Sequence, residues 1–566
     1  MIRGTARTVF VLLGLTGALV VAGPPASAAP NCLGRRATIY EPDVRWLRGT
    51  GGDDVIVGTA ANWTLDGLGG DDVICQADAD QVEDVDGGRG DDRIVGTHHL
   101  TGVVGGPGDD VLSARVPAGL SGGPGDDVLR GGGGQSGGPG DDVMVELRDS
   151  SWVTYFGPGP GRDLVDSRRG IGSVSFGGAP RGVRVRLAND SARGWGRDRL
   201  IDVESVAGTA HDDVLIGTDE VHLDAVGNDD SNRIDGFGGN DTIAGRGGPD
   251  WLEAGEGVDV VRGGAGDDVL RTSGLDPFGL PGDRLLGGAG DDALTGGRGS
   301  DVLDGGAGDD RLHGLGGHNS QSGGPGDDRL HFGGHVENLV GGEGVDTVAF
   351  TVFGPVRADL REQKAYLGRF VVELDGIEGL WGSFYGDTLI GDDGANFLFD
   401  GGNYSADGQQ DVLAGAGGDD VVAVRADPFG SATGDTFVAE GGDGADALTF
   451  FAATDPVVAD LAAETAAAGD SPGAISGFEN LIGGPDDDSL AGDGAANLVA
   501  GLGGDDALSG RGGDDALSGD EGEDAADGGD GTDACDAEQE VSCERDAGRL
   551  SVLSRLLRIL RALDLR

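Results

Sequence analysis

Single aliphatic residues recur every nine positions through much of this chain, each flanked by residues of any polarity. Two places before each stands an aspartate, and before that a group of glycines. Residues 236–244 read GFGGNDTIA, 245–253 GRGGPDWLE, 254–262 AGEGVDVVR and 263–271 GGAGDDVLR. After a six-residue insertion the phase resumes for eight units, from 278–286 through 341–349, and a run of six more starts at Gly483. Single units or pairs stand at 49–57, 67–75, 87–95, 105–113, 122–130, 137–145, 382–390 and 415–423. The consensus is G-G-x-G-x-D-x-(aliphatic)-x. One apolar side chain between two indifferent ones predicts a three-residue strand with its middle residue turned inward. Glycines at places one, two and four permit positive φ and close backbone approach, so six residues can form a tight turn. Two units then make an 18-residue coil, and stacked coils give a solenoid with an inner aliphatic column and aspartate columns along its turn edges.

A longer pattern interrupts the nonapeptides three times. Ser175-Phe176, Ala349-Phe350 and Thr449-Phe450 each lead to an alternating segment (183–187, 356–360 and 457–461). Each then continues to Glu204, Glu378 or Glu479, nine residues before Asp213, Asp387 or Asp488. The alternation predicts strands. The spacing places the three glutamates at position six of a modified unit, so these modules are expected to be coils with longer turns rather than inserted globular domains. Position six is Asn at Asn232, Asn319, Asn396 and Asn497 and Glu at Glu337, and position eight is Gln321 in one unit; sites built on those units are expected to be weak or absent. Between Gly58 and Leu147 regular units alternate with degenerate ones, which leaves Asp92 isolated in this reading.

Composition narrows the class. Glycine contributes 116 of 566 residues, acids outnumber bases 100 to 40, and the formal net charge is −60. Such a charge repels nucleic acid. Hydrophobic residues at 37% are too many for a disordered acidic chain and too dilute for one large core. No interior run reaches the ~18 apolar residues of a membrane span. One module breaks the acidic background, with nine arginines between Arg162 and Arg199. In Val183-Arg184-Val185-Arg186-Leu187 the arginines point outward. They either balance neighbouring acids or form a docking patch for an acidic polymer or another copy's acidic edge.

At the start, Arg3 and Arg7 precede an apolar stretch from Val9 to Val21, and Ala26-Ser27-Ala28 supplies a small-x-small cleavage site, so residues 1–28 read as a secretory signal. In an oxidising compartment the four cysteines allow three connectivities, of which Cys32–Cys75 with Cys535–Cys543 is the most economical. Residues 29–48 are expected to cap the first coil. Leucines at helical spacing among arginines make 549–565 an amphipathic helix, either a cap on the roll or an attachment to an anionic surface.

The nonapeptide resembles the RTX, or haemolysin-type calcium-binding, repeat. The resemblance runs over most of the chain from Gly49 to Asp533. It implies an all-β, right-handed parallel β-roll with Ca²⁺ held between turns of successive coils, exported and folded outside the cell. Position-six aspartates one coil apart would share an ion: Asp241 with Asp259, Asp250 with Asp268, Asp292 with Asp310, Asp310 with Asp328, Asp506 with Asp524, and Asp515 with Asp533. Asp283, Asp301, Asp346 and Asp488 occupy the same place in neighbouring units. Turn carbonyls would complete the shell, as at Gly263, Gly264 and Gly266 or at Gly305, Gly306 and Gly308. Hard oxygen donors of this kind suit Ca²⁺, and the three best runs offer roughly ten sites. The expected organisation is repeats at 49–166, modules at 167–207, 350–381 and 450–482, repeats at 208–349, 382–449 and 483–533, and a terminal loop and helix at 534–566.

No catalytic constellation is legible. HExxH is absent, and the two literal G-x-S-x-G matches, at Gly119–Gly123 and Gly134–Gly138, lie inside repeat turns without the strand-to-helix elbow that chemistry needs. His313 and His331, 18 residues apart at position nine, would stack on neighbouring strands within reach of one transition-metal ion. The expected function is a calcium-binding structural or interaction protein, without enzyme activity, whose partners are calcium and an envelope or matrix polymer. The alternative is a solenoid enzyme acting on extracellular polysaccharide.

Overall fold

The computed structural model describes residues 29–546 apart from 42–43, 60–61, 77–83, 97–101, 148–152, 169–171, 218–230, 273–280, 334–337, 353, 403–409, 426–435 and 544. The signal segment, Glu337 and the C-terminal helix lie outside the described residues. Within them the chain alternates between two long, predominantly parallel sheets that face each other across a narrow core. Ser300–Ala307 belongs to one sheet, Arg311–His313 to the other and Ser320–Pro325 to the first again.

The inner column forms as the nonapeptide phase requires. Leu252, Leu270, Leu294, Leu312, Leu330 and Val348 lie side by side on consecutive strands of one sheet, all buried. Ile243, Val261, Leu285 and Leu303 do so on the other. Each such side chain contributes ~1.5–3 kcal/mol on burial, an upper bound for so thin a core. Gln321 takes its turn in the column fully buried, and its Nε2 donates to the main-chain oxygen of His331 at 2.9 Å. Gln135 is held the same way by Gly131 O at 3.0 Å.

The three modules depart from the expected longer turns. In the first, Arg184–Arg186 runs antiparallel to Ser191–Arg193, which runs antiparallel to Arg197–Ile201. The outer two strands of this meander continue the sheet, pairing in parallel with Val214–Ile216 and Leu164–Asp166. The opposite sheet meanwhile steps directly from Gly172–Ser175 to Val203–Ala207. The modules at Arg357–Asp375 and Val457–Ser476 repeat this topology in the same sheet. Each gives that sheet three strands where an ordinary coil gives one, adding two strand spacings of ~4.8 Å to one side only. The widened core is filled by Phe176, Phe350 and Phe450, each buried to 1% exposure or less. The alternation in sequence reports strands; it does not report that they pair with each other.

Both disulfides join the cysteines that the sequence pairs most economically. The N-terminal segment is less a lid than a clasp. Cys32, on the hairpin Asn31–Cys32 and Arg35–Arg36, packs against the outward residues Val55, Val57 and Val73 of the first strands. Ile39, bridged to Ile56, and Val44 pack against the core at the open edge, and Leu47 is buried within it. At the other end Cys535 is the last buried member of the inner column, and Cys543 packs beside it. Among the described residues no helix is long and apolar enough to cross a membrane.

Candidate metal centre

Along the turn edges the position-six aspartates form ladders. The main-chain N–H of each donates to Oδ1 of the aspartate one coil later: Asp241 to Asp259, Asp250 to Asp268, Asp292 to Asp310 and Asp310 to Asp328 at 2.8 Å, and Asp506 to Asp524 and Asp515 to Asp533 at 2.9 Å. All six pairs expected from sequence are therefore adjacent in space. Asp283–Asp301, Asp328–Asp346 and Asp488–Asp506 extend the series, each at 2.8 Å. The six-residue insertion is absorbed in one coil, where Asp259 meets Asp283 and Asp268 meets Asp292. Every one of these aspartates is at most 3% exposed.

The second carboxylate oxygen is the informative atom. In Asp241, Asp268, Asp283, Asp292, Asp310, Asp328, Asp346, Asp506, Asp515 and Asp524, Oδ2 is buried and has no hydrogen-bond partner among the described residues. It faces the first glycine of its own turn: a Cβ at Gly263 would collide with Asp268 Oδ2, and one at Gly305 with Asp310 Oδ2. Glycines two and four lie at positive φ, as at Gly264 (+129°), Gly266 (+123°), Gly306 (+116°) and Gly308 (+133°). Each lies against the backbone of the turn one coil earlier, Gly306 against the carbonyl of Gly288 and Gly308 against that of Gly290. Replacing Gly306 by Ala would set a methyl against that carbonyl in a backbone region L-residues avoid. The expected loss is at least ~2 kcal/mol in denaturant unfolding at saturating calcium. Gly51→Ala, with nothing within 4 Å, should cost almost nothing and is the control.

Electrostatics point the same way. Burial raises Asp292 to about 8, opposed by its one N–H bond and reinforced by Asp268 and Asp310. Asp241 is likewise pushed to about 8, Asp310, Asp346 and Asp506 to about 7, and Asp268 and Asp328 to about 6, burial being the largest cause each time. These carboxylates require a proton or a cation. At the asparagines the need is met internally: Nδ2 of Asn497, Asn319 and Asn232 donates to the carbonyls of Glu479, Gly316 and Glu204 at 2.9, 3.2 and 3.3 Å. At Asn319 that amide faces the first glycine of its turn, Gly314, where aspartate leaves an orphaned oxygen, whereas at Asn232 and Asn497 it is Oδ1 that faces Gly217 and Gly492. No group of three His, Cys, Asp or Glu side chains converges among the described residues, so a cation here would draw on one or two carboxylates and turn carbonyls. That oxygen set fits Ca²⁺.

Sequence reasoning missed the longest ladder. Asp54, Asp72, Asp92, Asp110, Asp127, Asp142, Asp163 and Asp198 are linked N–H to Oδ1 without interruption, at 2.7–3.2 Å. Asp92 is thus not isolated. The other half of each coil varies in length here, which breaks the nine-residue phase while the spatial register holds. The recurring G-G-P-G-D-D at 105–110, 122–127 and 137–142 was the available signal. Glu378 and Glu479 sit at position six as expected, accepting from Asp346 and Asp446 N–H at 2.9 Å. Elsewhere a ladder stops, because Phe437 takes the place opposite Asp411.

His313 and His331 do stack, with ring centroids 5.2 Å apart. Burial, with His313, Arg329 and Arg311 adding to it, holds His331 down at about 4. With no third ligating side chain among the described residues and arginines on the same strands, the pair is a poor cation site.

Comparison with known families agrees with this geometry. The sequence model of the RTX calcium-binding nonapeptide repeat (4 copies) matches residues 46–75, 120–135, 225–252, 235–270, 286–321, 474–508 and 500–535. No curated protein matches the chain. The chain is an RTX-type repeat protein, built as a β-roll solenoid and carrying calcium-binding repeats.

Proposed function

We propose that this is an exported protein whose aspartate ladders take up roughly ten or more Ca²⁺ ions, and that this uptake folds the roll outside the cell. It then serves a structural or surface-interaction role and has no catalytic one. The observation that carries the reading is the row of buried Oδ2 atoms without a hydrogen-bond partner among the described residues. Export is supported by the N-terminal signal pattern, by the two disulfides and by the habit of RTX proteins.

Aspartate and asparagine variants test it. Asp92→Ala, Asp110→Ala and Asp127→Ala together should raise the calcium midpoint of folding several-fold, because the main-chain N–H bonds are lost with the ligands. The matching triple Asn variant keeps Oδ1 and removes buried charge. It should bind fewer ions yet keep more strand circular dichroism than the parent in excess chelator at pH 8. Equal ion counts in parent and Asn variant would remove these residues from the sites.

A further inference from the structure

The first module carries a feature that neither calcium nor the fold explains. On its outer face Arg184, Arg193 and Arg197 stand directly opposite one another across three strands, with Arg186 and Arg199 flanking Ser191 in the adjoining row. All five arginines are exposed. Arg199 reaches Asp190 at 3.7 Å, whereas the side chains of Arg184, Arg186, Arg193 and Arg197 make no ion pair or hydrogen bond among the described residues. Like charges directly opposite destabilise a sheet. The architecture does not demand them: the equivalent row is Arg357, Tyr366 and Val371 in the second module and Val458, Ala467 and Pro472 in the third. The neighbouring acids do not balance this face.

The same chain offers a complementary surface. Position-five aspartates form a second, outer ladder, in which Oδ1 of Asp53, Asp71, Asp91, Asp109 and Asp126 accepts the N–H one coil later at 2.8–3.0 Å. These five are exposed and stand outside the buried position-six ladder to which the calcium sites are assigned. Both rows run along the solenoid and advance by one strand spacing, ~4.8 Å, so successive guanidinium groups can meet successive carboxylates. The molecule shows the contact once internally. Arg162 ends the outer ladder by donating its N–H to Asp141 Oδ1 and its Nε to Oδ2, each at 2.9 Å. We propose that the arginine face of the first module docks on the outer aspartate ladder of a second copy. The contact joins two different surfaces, and every copy carries both, so it propagates into chains or closes into a ring. At physiological salt the Debye length is ~8 Å, which screens the overall repulsion between acidic rolls more than it screens paired groups in contact.

Sedimentation velocity of the full chain at saturating calcium and physiological salt tests this, with circular dichroism showing that each variant is folded. The parent should grow in size with concentration and dissociate in high salt. R184Q/R193Q/R197Q and D91N/D109N/D126N should each stay monomeric alone, with association weakened roughly tenfold or more. Mixed, they should form a heterodimer and nothing larger, since each retains the surface the other lacks. A parent that stays monomeric at every concentration, variants that assemble as it does, or a mixture that fails to pair would each overturn the proposal. Retention of a soluble polyphosphate or polyuronate by a monomeric parent, lost in the arginine variant, would instead assign the face to an acidic polymer.

Discussion

In excess chelator at pH 8 the chain is expected to be expanded and poor in β signal, and millimolar calcium should compact it with a large gain of strand circular dichroism. The opposing terms are unusually lopsided. Glycine costs up to ~1 kcal/mol of backbone entropy per residue relative to alanine, and glycine makes up 116 of the 566 residues. Each coil offers only two inner aliphatics in return. The ladders then stack buried carboxylates one strand spacing apart, each with a single N–H for compensation. A divalent cation cancels two charges, supplies the partner that Oδ2 lacks and ties neighbouring turns together, so its binding free energy becomes folding free energy. A chain already compact and β-rich in chelator would falsify this switch.

The second large effect is an inverted pH dependence. In the metal-free roll Asp292, Asp310 and Asp328 have folded values of about 8, 7 and 6, against about 3.9 when unfolded. A raised value means the folded state holds its protons more tightly. That stabilisation is complete below about pH 4 and is lost as pH rises through 6 to 8. Without metal, thermal melts should therefore show the roll most stable in mild acid and weakest near pH 8. With calcium the trend reverses, since the ion must displace those protons. The calcium midpoint should fall between pH 6 and 8, by up to about tenfold per pH unit for each proton displaced. Metal-free stability that rises from pH 5 to 8 would mean the aspartates are paired by something other than a proton or a cation.

Much of this was readable in the sequence because the nonapeptide encodes its structure locally. Asp292, Leu294 and the glycines from Gly287 to Gly290 each have a position-specific task, and a fixed period converts those tasks into ladders and an inner column. What escaped depends on pairing across the sheet. The ladder from Asp54 to Asp198 holds its register although its sequence spacing drifts, because the opposite half-coil absorbs the difference. The meander of Arg184–Ile201 is legible as strands, yet its antiparallel order follows from which neighbours each strand meets. Phe437, which ends a ladder, reads as an ordinary residue until its register is known, whereas the nine-residue phase already places Gln321 at an inward position.

The central claim is that the buried position-six aspartates hold calcium, and counting bound ions tests it most directly. Equilibrium dialysis at pH 8 followed by metal analysis should find roughly ten or more calcium ions per chain. Asp292→Asn, Asp310→Asn and Asp328→Asn together should remove about two or three of them while the chain remains folded. A parent that retains one or two ions, or a triple variant that retains the parent's full number, would contradict the account.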